Sequence, residues 1–191
     1  MSKTSESGKA VARAAATAFG GRPRVERFYD EDESHAVDVL TCDDRPVAGF
    51  TTYSTLTTHT LPNLLDDADV RVEMAGVSDA AVVKFPNVIA SAAFQVIVNR
   101  WLCAPGVAFQ DLVSDYQLSS TLSHILWVSP FPWEQLSSVD LGNGLTVHWL
   151  LALPISEAER RFLVRHGYPE LEALFADRQI EYFDSDRPSV V

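Results

Sequence analysis

Strand-type and helix-type segments follow one another irregularly along this chain, and this irregularity limits the fold classes open to it. Runs rich in β-branched and aromatic residues, typical of strands, occupy residues 24–29, 35–41, 49–57, 122–128 and 145–153. An apolar stripe of helical spacing begins at Pro86, between the third and fourth of these runs. Because the segments show no strict strand–helix–strand repeat, we predict an α+β fold: a single domain with a mixed, mainly antiparallel sheet flanked by helices.

The segment from Asp69 to Met74 has the clearest strand pattern in the chain. Val70, Val72 and Met74 alternate with charged residues, and successive side chains of a strand point to opposite faces of the sheet. We therefore expect one face of this strand to be covered and the other, which carries Glu73, to be exposed.

The two ends of the chain carry helix signals. Residues 1–21 have the pattern of an amphipathic helix, which we expect to pack on a domain formed by residues 22–191. Near the other end, Ser156 and Glu159 form a capping box, and Gly167 ends that helix. A second short helix follows, then an extended segment over residues 180–183. We expect Arg187 to dock the C-terminal tail against a carboxylate or against helix-end carbonyls.

Composition excludes several classes of protein. The chain has 191 residues, 47% of them hydrophobic, which is enough for a core and too many for a disordered chain. Its 15 Lys and Arg against 26 Asp and Glu give a net charge of −11, which disfavours binding to nucleic acid or to an anionic membrane. A basic protein partner fits this charge better. We find no signal peptide and no membrane-spanning run, and we expect a soluble cytoplasmic protein whose two cysteines are buried.

The sequence offers little support for catalysis. The five histidines include no pair three or four residues apart, although strands could bring His124 and His148 together. The chain contains no G-x-S-x-G nucleophile motif and no phosphate-binding loop. We therefore predict no catalytic residue, no metal and no cofactor. A hydrolase that uses His124 or His148 with a carboxylate stays open as a weaker alternative.

The C-terminal forty residues resemble the end of the Suppressor of fused domain family. In that family a hydrophobic strand turns into a helix at a Pro-Ile-Ser/Thr-x-x-Glu motif, and a His-Gly pair, a Leu-rich helix and an acidic-Arg-Pro-Ser tail follow. The residues at these places are Pro154, Ile155, Ser156, Glu159, His166, Gly167, Leu171, Leu174, Asp184, Arg187, Pro188 and Ser189.

Two upstream segments extend the resemblance to about residues 20–190. Residues 49–59 resemble the family's Thr-rich strand, and residues 71–74 resemble its R-x-E-L strand. Thr57, Thr58 and His59 depart from the family's Gly-Leu-Ser at the end of the first segment, where we expect Thr57 to resist a bend that glycine allows.

The resemblance implies a protein that binds and does not catalyse. The animal member of the family restrains a transcription factor by gripping an extended peptide, and stand-alone bacterial members resemble immunity proteins that neutralise toxins. This chain is similar to the bacterial kind, so we expect an immunity protein that binds a cognate toxin. An adaptor that captures an extended peptide by strand addition is the alternative. The partner's identity and the oligomeric state stay open.

The expected contact groups are exposed carboxylates and one aromatic anchor. They are the turn pair Asp43 and Asp44, the anchor Tyr53, and the carboxylates Asp66, Asp67, Asp69 and Glu73 on and before the alternating strand.

Overall fold

A computed structural model describes residues 5–136, 138–142 and 144–191 of this chain. Four α-helices lie within these ranges: α1 (Glu6–Phe19), α2 (Phe85–Asn99), α3 (Glu157–His166) and α4 (Tyr168–Arg178). The strands are β1 (Arg24–Tyr29), β2 (Ala36–Asp43), β3 (Phe50–Thr55), β4 (Leu64–Leu65), β5 (Ala68–Asp69), β6 (Arg71–Asp79), β7 (Ala108–Phe109), β8 (His124–Val128), β9 (Ser138–Asp140) and β10 (Thr146–Ile155).

One sheet organises the molecule. Its strands run in the order β1-β2-β3-β6-β10-β8-β7, and β9 pairs with β10 beside β8. Strands β6 and β10 run parallel, with Leu150 opposite Met74, and the other pairs in this sheet are antiparallel. Strands β4 and β5 form a separate small hairpin. The α+β prediction with a mixed, mainly antiparallel sheet is therefore confirmed.

Helices cover both faces of the sheet, and each face has its own core. Leu150 packs with α2 on one face, while Leu151, the next residue of β10, packs with residues of α1, α3 and α4 on the other. The alternation of side chains along a strand produces this division. A strand buried on both sides needs apolar residues at every position, which explains the continuous apolar run from Trp149 to Ile155.

The expectation that the strand after Asp69 has an exposed face is wrong. Seven consecutive residues of β6, Val72 to Ser78, are buried. Helix α2 covers one face of this strand, and the core formed with α1, α3 and α4 covers the other. Glu73 lies inside the protein and has no contact with solvent. The alternating pattern arises because Glu73 is a buried polar residue, and alternation alone does not distinguish this case from a wet face.

The C-terminal region follows the sequence signals closely. Ser156 and Glu159 form the predicted capping box, and Gly167 ends α3 at a φ of 91°. The predicted extended segment at residues 180–183 is wrong, since turns occupy this region. Arg187 does dock the tail: its guanidinium donates to Glu159 at 2.6 and 3.0 Å and to the carbonyl of Pro154 at 3.0 Å.

Helix α1 packs on the sheet through Val11, Ala15 and Phe19, which are buried, and the ring of Phe19 lies 4.7 Å from that of Trp133. Residues 1–4 lie outside the described ranges, and a domain boundary near residue 21 stays a prediction. No helix in the described part of the chain is long and apolar enough to span a membrane. Both cysteines are buried, as expected.

Candidate binding interface

A concavity of the surface lies where β10 changes its neighbour. One edge of β10 pairs with β6, and the other edge pairs with β9 over Thr146–His148 and with β8 over Leu151–Ile155. Trp149 and Leu150 lie between these two pairings. The chain loops outward after β8 and returns as β9, and the gap it leaves in the sheet opens into a pocket of about 500 Å³.

The pocket is mostly apolar. Its wall includes Leu65, Val70, Val72, Phe131, Trp133 and Leu150. Its polar lining residues are Asn63, Ser129 and His148, and the side-chain amide of Asn63 is satisfied by two 2.9 Å hydrogen bonds to the backbone of Cys103. These bonds tie the segment before β4 to the segment after α2, which fixes two sides of the pocket. Pockets of this size that are apolar and carry few polar groups are typical binding sites.

The β4–β5 hairpin places carboxylates next in sequence to residues that line this pocket. Leu65 of the hairpin lines the wall, and the two residues that follow, Asp66 and Asp67, form the exposed turn. Their φ values are 49° and 65°, so both adopt the left-handed conformation that two-residue hairpin turns require. Aspartate tolerates this conformation better than most residues, which explains why the pair can occupy the turn.

Asp69 and Arg71 form an ion pair beside this turn. The Asp69 carboxylate accepts from Arg71 at 2.7 Å, and Arg71 also donates to the carbonyl of His59 at 3.1 Å. Asp69 is exposed, but its charge is partly matched by Arg71, whereas Asp66 and Asp67 form no ion pair with any residue that the structure describes. The turn therefore carries the less compensated charge.

The other predicted pair, Asp43 and Asp44, lies elsewhere on the molecule. Asp43 is exposed and pairs with Arg24, and Asp44 accepts from the backbone N–H of Gly49 at 3.1 Å. Asp43 aligns through β3 with Ser78, near the end of β6, whereas Asp69 precedes the start of that strand. At about 3.3 Å per residue the two acidic turns are roughly 30 Å apart. The structure does not bring them into one site.

Glu73 cannot serve as a contact carboxylate in this structure, because it is 0% exposed. It accepts from Thr55, from Thr58 at 2.8 Å, from the backbone N–H of His59 at 3.1 Å and from the His59 ring at 2.6 Å. A buried carboxylate needs such donors to offset its lost hydration. Glu73 thus holds the end of the Thr-rich segment against β6.

The departure at residues 57–59 also has a structural explanation. Thr57 has a φ of −129°, which any residue adopts, so the expectation that it resists a bend is wrong. Thr58 and His59, which replace the Leu and Ser of the family pattern, are two of the residues that bind Glu73. These two residues therefore hold the turn against β6.

Tyr53 is not an exposed anchor, since only 4% of its surface is accessible. Its ring lies 5.7 Å from that of Phe85 in the core beneath α2, and burial raises the pKa of its hydroxyl. The exposed aromatic residue near the pocket is Phe131, with 52% of its surface accessible. The sequence signal for this site is the apolar pair Leu64–Leu65 directly before two aspartates.

The histidines do not form a metal site. His124 aligns with Ile155, whereas His148 lies seven residues earlier in β10, so the two are more than roughly 20 Å apart. In the described ranges no three His, Cys, Asp or Glu side chains are placed to share a metal ion. The idea that strands could bring His124 and His148 together is wrong.

His124 does meet a carboxylate, as the hydrolase alternative requires. Its Nε2 lies 2.9 Å from Glu157, and its Nδ1 accepts from the backbone N–H of Asp111 at 2.9 Å. Both ring nitrogens are therefore occupied. Hydrogen bonds from Arg160, Arg161 and His124 hold the pKa of Glu157 far below its ordinary value, so it stays ionised. A general base needs a free ring nitrogen to accept a proton from its substrate, and His124 has none, so this geometry favours a structural role.

A cysteine also lines the pocket, but it is not poised to react. Burial raises the pKa of the Cys103 thiol well above its ordinary value, so the nucleophilic thiolate is disfavoured. The pocket therefore offers an apolar surface for binding and no activated nucleophile among the residues named above.

Comparison with known proteins agrees with this description. The model of the family described as Suppressor of fused protein matches residues 33–188. The chain belongs to the Suppressor of fused family. Among curated relatives of this Suppressor of fused chain, Immunity protein YqcF of Bacillus subtilis (strain 168) is 37% identical over 186 residues, 96% of each chain.

Solved structures show the same Suppressor of fused fold. A homologue from Neisseria gonorrhoeae FA 1090 has a TM-score of 0.75 at 18% identity and covers 97% of each chain. The Sufu-Fu complex gives a TM-score of 0.65 at 12% identity, with 98% of this chain and 93% of that chain covered. Drosophila Suppressor of Fused gives 0.54 at 11% identity, with 88% of this chain and 42% of that chain covered.

Proposed function

We propose that this protein is a cytoplasmic immunity protein that neutralises a cognate toxin by direct, non-catalytic binding. The observation that carries the proposal is the 37% identity to an immunity protein over 96% of both chains. Identity spread over the whole length means that the same sheet and helices are present in both proteins. The role named for that relative is therefore the best hypothesis for this chain.

The surface supports a basic partner. A net charge of −11 attracts cationic proteins over long range and speeds their association. Protein interfaces combine an apolar centre with a polar rim, and the pocket beside Asp66 and Asp67 has both parts. We place the toxin contact there, and the pair Asp43 and Asp44 at the far end of β6 stays a second candidate surface.

The test is coexpression with the candidate toxin encoded by the neighbouring gene. We expect the two proteins to copurify and growth to be restored. Two matched charge changes then compare the surfaces: Asp66→Asn with Asp67→Asn, and Asp43→Asn with Asp44→Asn. Asp44, Asp66 and Asp67 have positive φ, which asparagine also tolerates. Each double variant therefore loses the same charge without added backbone strain.

The expected result is that the Asp66/Asp67 variant associates with the toxin roughly threefold or more slowly at low salt, while the Asp43/Asp44 variant is close to wild type. The reverse order would move the contact to the other turn. If no toxin copurifies and none is neutralised, the immunity role is wrong.

Strand addition is a second candidate, because β1 is an edge strand. Within the described residues β1 pairs with β2 alone, and Val25 and Tyr29 are each 56% exposed. Such an edge can accept an extended peptide through backbone hydrogen bonds. An array of short unfolded peptides tests this. Binding that Val25→Pro abolishes would support an adaptor, whereas a requirement for a folded partner supports occlusion.

A further inference from the structure

We propose that the pocket between the β4–β5 hairpin and the β8–β9 loop receives an apolar side chain that the partner presents between lysine or arginine residues. This inference rests on the proposed function, since it names the chemistry of the partner at the same surface. Three features of the pocket support this inference: its lining, the charges beside it and the apolar surface exposed at its mouth.

The lining selects an apolar group. Leu65, Val70 and Leu150 present hydrocarbon to the cavity, and the amide of Asn63 is already used by the Cys103 backbone. A polar side chain entering this pocket would lose its hydration without gaining a partner from Asn63, which costs free energy. A leucine or phenylalanine loses nothing of that kind and removes apolar surface from water on both sides.

The rim selects the residues on either side of that group. Asp66 and Asp67 form the turn next to Leu65, and Glu134 lies exposed between Trp133 and Leu136, which both line the pocket. No lysine or arginine is among the residues that line it in the described part of the chain. A chain that inserts an apolar side chain here therefore passes carboxylates, and cationic neighbours are favoured over anionic ones.

The rim also exposes apolar surface that a partner would cover. Phe131, on the β8–β9 loop, lines the pocket and is 52% exposed. A large apolar side chain left exposed at an apolar cavity is characteristic of interaction sites. Together with the nearby carboxylates, Phe131 and the cavity form the apolar centre and charged rim of a protein interface.

The test uses three blocked octapeptides and the full chain labelled at methyl groups. The probes are GKKLFKKG, which carries both features, GEELFEEG, which reverses the charge, and GKKSTKKG, which lacks the apolar pair. Methyl signals of Leu65, Val70 and Leu150 report on the pocket, and Val164, which is 74% exposed on α3, reports on non-specific adhesion.

We expect GKKLFKKG to shift the three pocket signals saturably and to leave Val164 unchanged. The other two peptides should bind at least about tenfold more weakly. Ser129→Phe fills the pocket from its exposed edge and should abolish the shifts, whereas Ser120→Phe, an exposed serine outside the pocket lining, should not. Asp66→Asn with Asp67→Asn should weaken binding at least threefold and lower its salt dependence.

Several outcomes would overturn the inference. Equal affinity for GEELFEEG would mean that the pocket accepts apolar groups of any charge context, as a small-molecule site does. Absence of shifts, or full binding by Ser129→Phe, would remove the pocket as a site. The coexpression test separates this failure from that of the function: if Ser129→Phe neutralises the toxin as well as wild type, the immunity role stands and the pocket does not take part.

Discussion

Replacement of Arg187 should strongly destabilise the protein, because it removes a buried ion pair. Its guanidinium is buried, bonds both carboxylate oxygens of Glu159 and lies 5.3 Å from the centre of the Phe175 ring. Arg187→Met would leave the Glu159 charge buried without its partner. We expect a loss of about 3–5 kcal/mol in the free energy of unfolding, measured in urea.

The control for this prediction is Arg161→Met. Arg161 pairs with Glu157 at 2.8 Å on the exposed side of α3. The substitution therefore removes an arginine–glutamate pair that is exposed to solvent. It should cost no more than about 0.5 kcal/mol. Equal losses for the two variants would show that burial of the Arg187 pair has no energetic weight.

Single residues also show where sequence reasoning stops. The type of each residue in the capping box determined its role, because Ser156 and Glu159 interact within one turn. Glu73 has the same charge as Asp67, yet one is enclosed and the other is exposed. That difference depends on strands that are distant in sequence, so the pattern around Glu73 predicted the strand correctly and its environment wrongly.

At the scale of elements, the α3–α4 corner depends on one backbone conformation. Gly167 has φ 91° and ψ 168°, a region that is open almost only to glycine. A Cβ at this position would have its nearest neighbour, Pro169 Cδ, at 3.8 Å, so the space is adequate and the cost is conformational. Gly167→Val should therefore destabilise the protein by about 1 kcal/mol or more.

Gly167→Ala separates conformational strain from side-chain volume. If strain dominates, alanine and valine should cost the same within about 0.5 kcal/mol, because both demand the same backbone change. Both are measured by thermal and urea unfolding. A wild-type midpoint for either variant would contradict the assignment of Gly167 as the residue that sets this corner.

Local elements were largely predictable from the sequence, and their neighbours were not. The helix stripe from Pro86 and the runs at 122–128 and 145–153 correspond to α2, β8 and β10. The parallel pairing of β10 with β6, and the gap that forms the pocket, depend on contacts between residues about 76 apart, as the alignment of Val147 with Arg71 shows. No periodicity in a single segment contains that information.

For the whole molecule, the question is whether α1 belongs to the folded unit. Phe19 is 3% exposed and contacts Trp133, which also lines the pocket. Phe19→Ala should lower the free energy of unfolding by about 3–5 kcal/mol. Deletion of residues 1–21 should lower it at least as much, because the core that α1 shares with α3 and α4 loses its cover. Urea unfolding followed by tryptophan fluorescence measures both.

Lys9→Ala serves as the matched change on the opposite side of the same helix, where Lys9 pairs with Glu6. It should change the free energy of unfolding by less than about 0.5 kcal/mol. A deletion variant with the wild-type midpoint and an unshifted fluorescence maximum would make α1 an appendage and would confirm a boundary near residue 21.

The parallel pair β6–β10 has a consequence for synthesis of the protein. As the chain leaves the ribosome, β1, β2, β3 and β6 can pair in succession, but the partner for the remaining edge of β6 emerges only with residues 147–151. During that interval an apolar edge is open to other nascent chains, since unpaired edges promote aggregation. Slow translation between Asp79 and Thr146 should therefore lower the yield of native protein even where its final stability is unchanged.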